Sequence, residues 1–80
     1  MINSNNNPEP TSDGIRLGRR VIGYSTAISS LDSGRYDRNL TKGLEVLACV
    51  MEAEESGWIT LSIDKQMIIW RWLLVTTFIT

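Results

Sequence analysis

Five apolar residues, Leu40, Leu44, Leu47, Ala48 and Met51, recur at i, i+4, i+7, i+8 and i+11, the spacing that lays one stripe along an α-helix. This is the clearest period in the chain, and the fold is expected to be arranged around it. Asn39 or Thr41 can cap the start by accepting from free amides of the first turn. Ser56-Gly57 supplies the left-handed residue that commonly ends a helix. Glu45, Glu52 and Glu55 decorate the other faces, while Cys49 and Val50 widen the apolar arc, so the helix is expected to be covered on more than one side.

The flanking segments are less regular. Residues 1–14, with the run Asn5, Asn6, Asn7 and two prolines, have the composition of a disordered tail. Residues 15–24 are too glycine-rich for a helix and too irregular for a strand. If they were helical, Arg16, Arg19 and Arg20 would form a cationic patch able to meet phosphate, but a solvated linker is the preferred reading. Gly18 and Gly23 have the spacing that opens a phosphate loop, yet Tyr24 stands where that loop needs lysine, so nucleotide binding is dismissed. Ser25 to Gly34 reads as a connector, making 15–37 a linker or irregular segment. After the central helix, Trp58 to Leu61 suits an extended piece. A brief second helix is expected through Ile63, Asp64, Lys65 and Gln66, capped by Thr60 or Ser62. A third is expected from about Ile68 to Phe78, with Ile69, Trp72, Leu73 and Thr76 on one stripe. The β-branched content of the last residues argues equally for a strand there.

Composition narrows the chemistry. Cys49 is the only cysteine and histidine is absent among the 80 residues, which excludes an internal disulfide and a thiolate-based metal site and removes the commonest acid-base catalyst near neutral pH. The acidic residues Glu52, Glu54 and Glu55 sit beside a helix end, where solvation is the ordinary fate of charge. No cofactor and no enzymatic activity are therefore expected. Net charge is −1, but residues 1–42 carry six basic groups against four acidic, and residues 43–80 carry two against five. Met1 to Gly14 lacks the apolar core of a secretory signal, so a cytoplasmic location is expected and the Asn39-Leu40-Thr41 sequon is silent. Met67 to Thr80 is rich in apolar residues. As a helix it would reach about 21 Å, short of the roughly 30 Å hydrocarbon core, and it contains Arg71. A buried or partner-facing helix is expected there rather than a membrane span.

The run Arg38-Asn-Leu-Thr-Lys-Gly-Leu-Glu-Val-Leu-Ala-Cys-Val-Met-Glu-Ala, followed by Trp58-Ile-Thr-Leu-Ser62, resembles the opening of the winged helix-turn-helix domain of IclR-type transcription regulators. The match covers about residues 38–62. Arg71-Trp72-Leu73-Leu74-Val75-Thr76 echoes the family's recognition helix, although the interval from Lys65 to Arg71 is several residues short and Met67, Ile68, Ile69 and Trp70 replace its polar opening. The resemblance implies a mainly α fold: a small helix-turn-helix-like three-helix arrangement over 38–80 with an incomplete wing. It implies a DNA-binding regulator fragment, truncated or degenerate, without the small-molecule effector domain. Ser62 would hold a phosphate with helical amides, Lys65 would add a charge, and Arg71 would match the family's arginine in the third helix. DNA and a homodimer are the partners it implies.

Two other readings stand beside this one. Trp70, Trp72, Leu73, Leu74 and Phe78, in a chain too small to cover them all, suit an interaction peptide docking on a protein partner or a membrane surface. The other is a translated remnant with no evolved role.

Overall fold

The computed structural model describes residues 7–79. The expectation of a disordered tail, where it falls on Met1 to Asn6, and the expectations for the side chains of Thr76 and Phe78 lie outside the described residues; over 9–14 that tail is corrected, because Glu9 and Pro10 pair in a sheet and Thr11 and Gly14 close a hydrogen-bonded turn. Three short strands, β1 (Glu9–Pro10), β2 (Ile15–Leu17) and β3 (Arg20–Ile22), precede three helices, α1 (Tyr24–Asp32), α2 (Leu40–Glu55) and α3 (Ile63–Ile79). The strands form one antiparallel sheet in the order β1-β2-β3. By residue content the fold is mainly α, as expected; the sheet was not expected.

The segment 15–24 is a hairpin, not a linker. Leu17 pairs with Arg20 across a two-residue loop. Gly18 occupies its first position at φ +64°, the conformation that makes glycine the natural residue there in a tight hairpin. Its two glycines thus punctuate strands; they do not dilute a helix. Ile15 is fully buried, and β1 adds to the sheet edge by pairing Pro10 with Ile15.

The expected connector after Ser25 is also corrected, because α1 runs through it. Tyr24, Ala27, Ile28 and Leu31 are its buried residues, at i, i+3, i+4 and i+7, with serines and threonine between them on the outer faces. Serine is an indifferent helix former, but burial of one apolar face outweighs weak propensity. The Tyr24 hydroxyl donates to the Thr11 carbonyl at 2.6 Å, tying the helix start to the turn between β1 and β2.

α2 begins and ends where the sequence places it. The Asn39 side chain accepts from the Lys42 amide at 3.3 Å. At the other end the Trp58 amide donates to the Ala53 carbonyl and the Gly57 amide to the Glu54 carbonyl, the paired bonds of a Schellman motif, with Gly57 at φ +80°. The face it buries is different from the expected one. Gly43, Val46, Leu47, Cys49, Val50 and Ala53 face the core; only Leu47 belongs to the expected stripe. Leu40 and Leu44 are half-buried, and Ala48 and Met51 are exposed. A small residue such as Gly43 lets neighbouring elements approach closely, so the packed side is set by available space as well as by side-chain size.

At Gly43 that approach is tightest: a Cβ there would collide with the Trp72 ring and lie 2.9 Å from Tyr36 Cβ. The same indole donates from Nε1 to the Leu31 carbonyl at 2.9 Å, satisfying a carbonyl in the last turn of α1 that lacks an intrahelical partner. Trp72 therefore joins all three helices.

α3 is one continuous helix of 17 residues, where two pieces, or a helix and a terminal strand, were expected. Neither glycine nor proline occurs between Ile63 and Ile79 to break it. Ile69 and Trp72 bury its inner side, which holds the β-branched residues around them in the helical state. Trp58 to Leu61 belongs to neither helix nor strand, and Leu61 plugs the core.

Candidate interaction surface

The three residues that the sequence marks for DNA contact lie on or beside α3 but do not converge. Ser62 Oγ accepts from the Lys65 amide at 3.4 Å and so serves as the cap of α3. Lys65 is half-buried beside the inner face. Arg71, six residues on and turned by about 120° around the axis, pairs with Asp32 at 3.0 Å. The side chains thus point to separate surroundings.

The outer side of α3 is different. Ile63, Met67, Trp70 and Leu74 are 77%, 58%, 62% and 61% exposed. Their spacing is +4, +3, +4, which confines them to a stripe about 60° wide, opposite Trp72. This is the a/d spacing of a coiled-coil seam: Ile63 and Trp70 at d, Met67 and Leu74 at a. Trp70, Leu73, Leu74 and Thr77 surround a shallow apolar hollow of about 320 Å³ along the seam. Those are the d, g, a and d residues whose side chains form the four corners of a socket for a knob from a facing helix. Thr77 donates its hydroxyl to the Leu73 carbonyl at 3.0 Å, so the one polar corner does not require water. The apolar excess of this helix is legible in the sequence, but the period through Ile69 and Trp72, which faces inward, is as strong as that of the seam.

A second surface feature lies between the β2–β3 hairpin and α1. Arg20, Arg35, Thr26, Ser30 and Tyr36 border a cleft of about 280 Å³ floored by Leu17 and Ile22. It adjoins another, lined by Leu17, Gly18, Arg35, Tyr36 and Lys42. No carboxylate lines either one. The signal in the sequence is the basic surplus of residues 1–42, but the placement of Arg35 beside the hairpin depends on α1, whose period is diluted by serines.

The remaining reactive group is sealed. Cys49 is 4% exposed. Burial pushes its thiol up to about 11, assisted by the nearby carboxylates of Glu52, Glu45 and Glu9, which leaves it protonated and unreactive at neutral pH. Burial likewise raises the Tyr24 phenol, partly offset by its bond to Thr11. Among the described residues no cluster of acidic and cysteine side chains could hold a metal ion, and no helix is long and apolar enough to cross a membrane. Comparison of the chain with protein-family models, curated proteins and solved structures finds no match.

Proposed function

We propose that this chain is a protein-interaction module that works by burying the outer seam of α3 against another helix. The observation that carries this reading is the line of four large apolar side chains, more than half exposed, on the side of α3 that its own fold does not use. Scattered apolar residues such as Val21 and Met51 are ordinary on a small protein; an ordered row is the mark of a binding surface. Leu73 and Val75, 41% and 38% exposed, carry the apolar surface beyond this line, but the a/d spacing of its four most exposed residues is that of a seam for another helix. Asp64 and Arg71 border it, as charges border such seams.

Photo-crosslinking tests the reading. With Met67→p-benzoylphenylalanine, a discrete adduct is expected that disappears when Leu74→Lys is added, and Ser29→p-benzoylphenylalanine on α1 is expected to give none. Equal labelling from both positions, or none from position 67, overturns it.

DNA binding, as the IclR-type resemblance implies, is a second proposal; the carboxylate-free cleft that holds Arg20 and Arg35 lies outside the resembling segment 38–62 but offers cations for a phosphate. In it, these arginines and Lys42 supply the phosphate contacts, on a helix-turn-helix-like frame built on α2 and α3, while Ser62, Lys65 and Arg71 stand apart from that cleft. A gel shift whose affinity falls steeply between about 50 and 200 mM salt, and falls less steeply in Arg20→Gln/Arg35→Gln, supports it. No shift at micromolar protein eliminates it.

A further inference from the structure

We infer that the helix received by the α3 seam is α3 of a second copy of this chain, running antiparallel. This rests on the interaction reading above and adds the identity and direction of the partner. Place a two-fold axis between Ile68 and Ile69, and the seam complements itself completely. Ile63 of each copy lies level with Leu74 of the other, and Met67 level with Trp70 of the other, giving four layers in which every a residue meets a d residue.

The hollow bounded by Trp70, Leu73, Leu74 and Thr77 then faces Ile63 of the second copy. Ile63 is the most exposed large apolar side chain among the described residues. A branched, β-substituted knob with no role in its own fold thus stands opposite the one apolar socket along the seam. The hollow, about 320 Å³ and open to solvent, leaves room for a side chain of that size.

Charge fixes the direction. Asp64 and Arg71 occupy e positions, and antiparallel helices bring the e positions of the two copies together. With the axis where the layers require it, Arg71 of one copy and Asp64 of the other are offset by two residues, about 3 Å along the helix. That offset is within reach of an arginine side chain, and Arg71 can bridge to it while keeping its bond to Asp32, having five N–H donors. In a parallel pair, e positions face g positions, so Arg71 would meet Gln66 and Asp64 would gain no cation. Parallel pairing would also align the two helix dipoles, which antiparallel pairing opposes favourably.

Four exposed side chains with their flanking residues amount to an interface on the order of 1,000 Å² in total, at the lower edge of specific association. A reversible dimer in the micromolar range is the expected consequence. Sedimentation of the full chain up to about 500 μM should therefore show monomer and dimer in exchange, and Met67→Lys should weaken dimerisation roughly a hundredfold.

Direction is read by mixing Ile63→Cys with Leu74→Cys under mild oxidation. The antiparallel pair gives disulfides between the two variants, while buried Cys49 stays silent. A charge exchange provides a second readout: Asp64→Arg and Arg71→Glu should each weaken self-association, by roughly three- to tenfold. Mixed together they should pair with each other in preference to themselves, because both contacts are then restored. Disulfides only within each variant would overturn the antiparallel arrangement and leave the interaction reading intact. A monomer at all concentrations, with the crosslink from position 67 going to a different protein or to lipid vesicles of phosphatidylcholine and phosphatidylserine, would overturn the second copy as occupant. A dimer indifferent to Met67→Lys would overturn both this inference and the reading on which it rests.

Discussion

α2 and α3 are close in length, 16 and 17 residues, and both are dense in apolar side chains, yet the molecule uses them differently. α2 places Gly43, Val46, Leu47, Cys49, Val50 and Ala53 against the core and turns glutamates outward. α3 is apolar on two opposite sides: Ile69 and Trp72 face in, while Ile63, Met67, Trp70 and Leu74 face out. A helix that is apolar all round is ordinarily covered all round. The contrast separates two requirements that look alike in a sequence, holding one's own fold together and meeting something else.

The largest effect expected from this contrast compares two tryptophans on one helix. Trp72→Ala removes an indole 6% exposed together with its bond to Leu31 and should cost about 3–5 kcal/mol. Trp70→Ala, two positions away, should change monomer stability by no more than about 0.5 kcal/mol while weakening association. Denaturant unfolding at dilute protein checks both, and similar costs would dissolve the distinction between the faces. Next in size is Gly43→Val, whose side chain would enter the Trp72 ring. A loss of about 2–3 kcal/mol is expected by the same measurement, against about 0.5 kcal/mol for Ala48→Val on the exposed side of α2.

The thiols give a third comparison. Because the folded chain holds the Cys49 thiol up to about 11, above its ordinary value of 9.0, the unfolded chain ionises first. Its stabilising contribution is complete below about pH 9 and is lost as pH rises towards 11, a fall on the order of 2 kcal/mol. The Tyr24 phenol, also raised, acts in the same direction. Cys49→Ala should flatten that part of the stability profile, and a thiol introduced on the seam by Leu74→Cys should react with disulfide reagents at pH 8 while Cys49 does not. The smallest effect is expected from Arg71→Ala. Its pair with Asp32 is well exposed, and surface pairs contribute little, so a change below about 0.5 kcal/mol should appear in thermal unfolding.

The termini of α2 were legible in the sequence because local chemistry decides them: an asparagine to accept amide protons, a glycine to turn left-handed. Its orientation was not. The leucine stripe marks only the border of the packed side, where Leu47 is buried and Leu40 and Leu44 flank the core, since close approach through Gly43 and Ala53 depends on where another helix fits. Serines dilute the period of Tyr24, Ala27, Ile28 and Leu31 in α1, and only its neighbours supply a surface for that face to cover. In the hairpin, glycine weakens both helix and strand signals. For α3 the apolar density was plain, but deciding which of two stripes faces inward required knowing where α1 and Gly43 lie.

The bond from Trp72 to Leu31 spans 41 residues, and it also sets an order in time. During synthesis, α1 and α2 leave the ribosome well before the indole that joins them, so the groove between them stays open until α3 arrives. A pause in translation within α3 would hold the nascent chain with that groove uncovered. Chaperone capture should accordingly peak in this interval and fall sharply once Trp72 has docked.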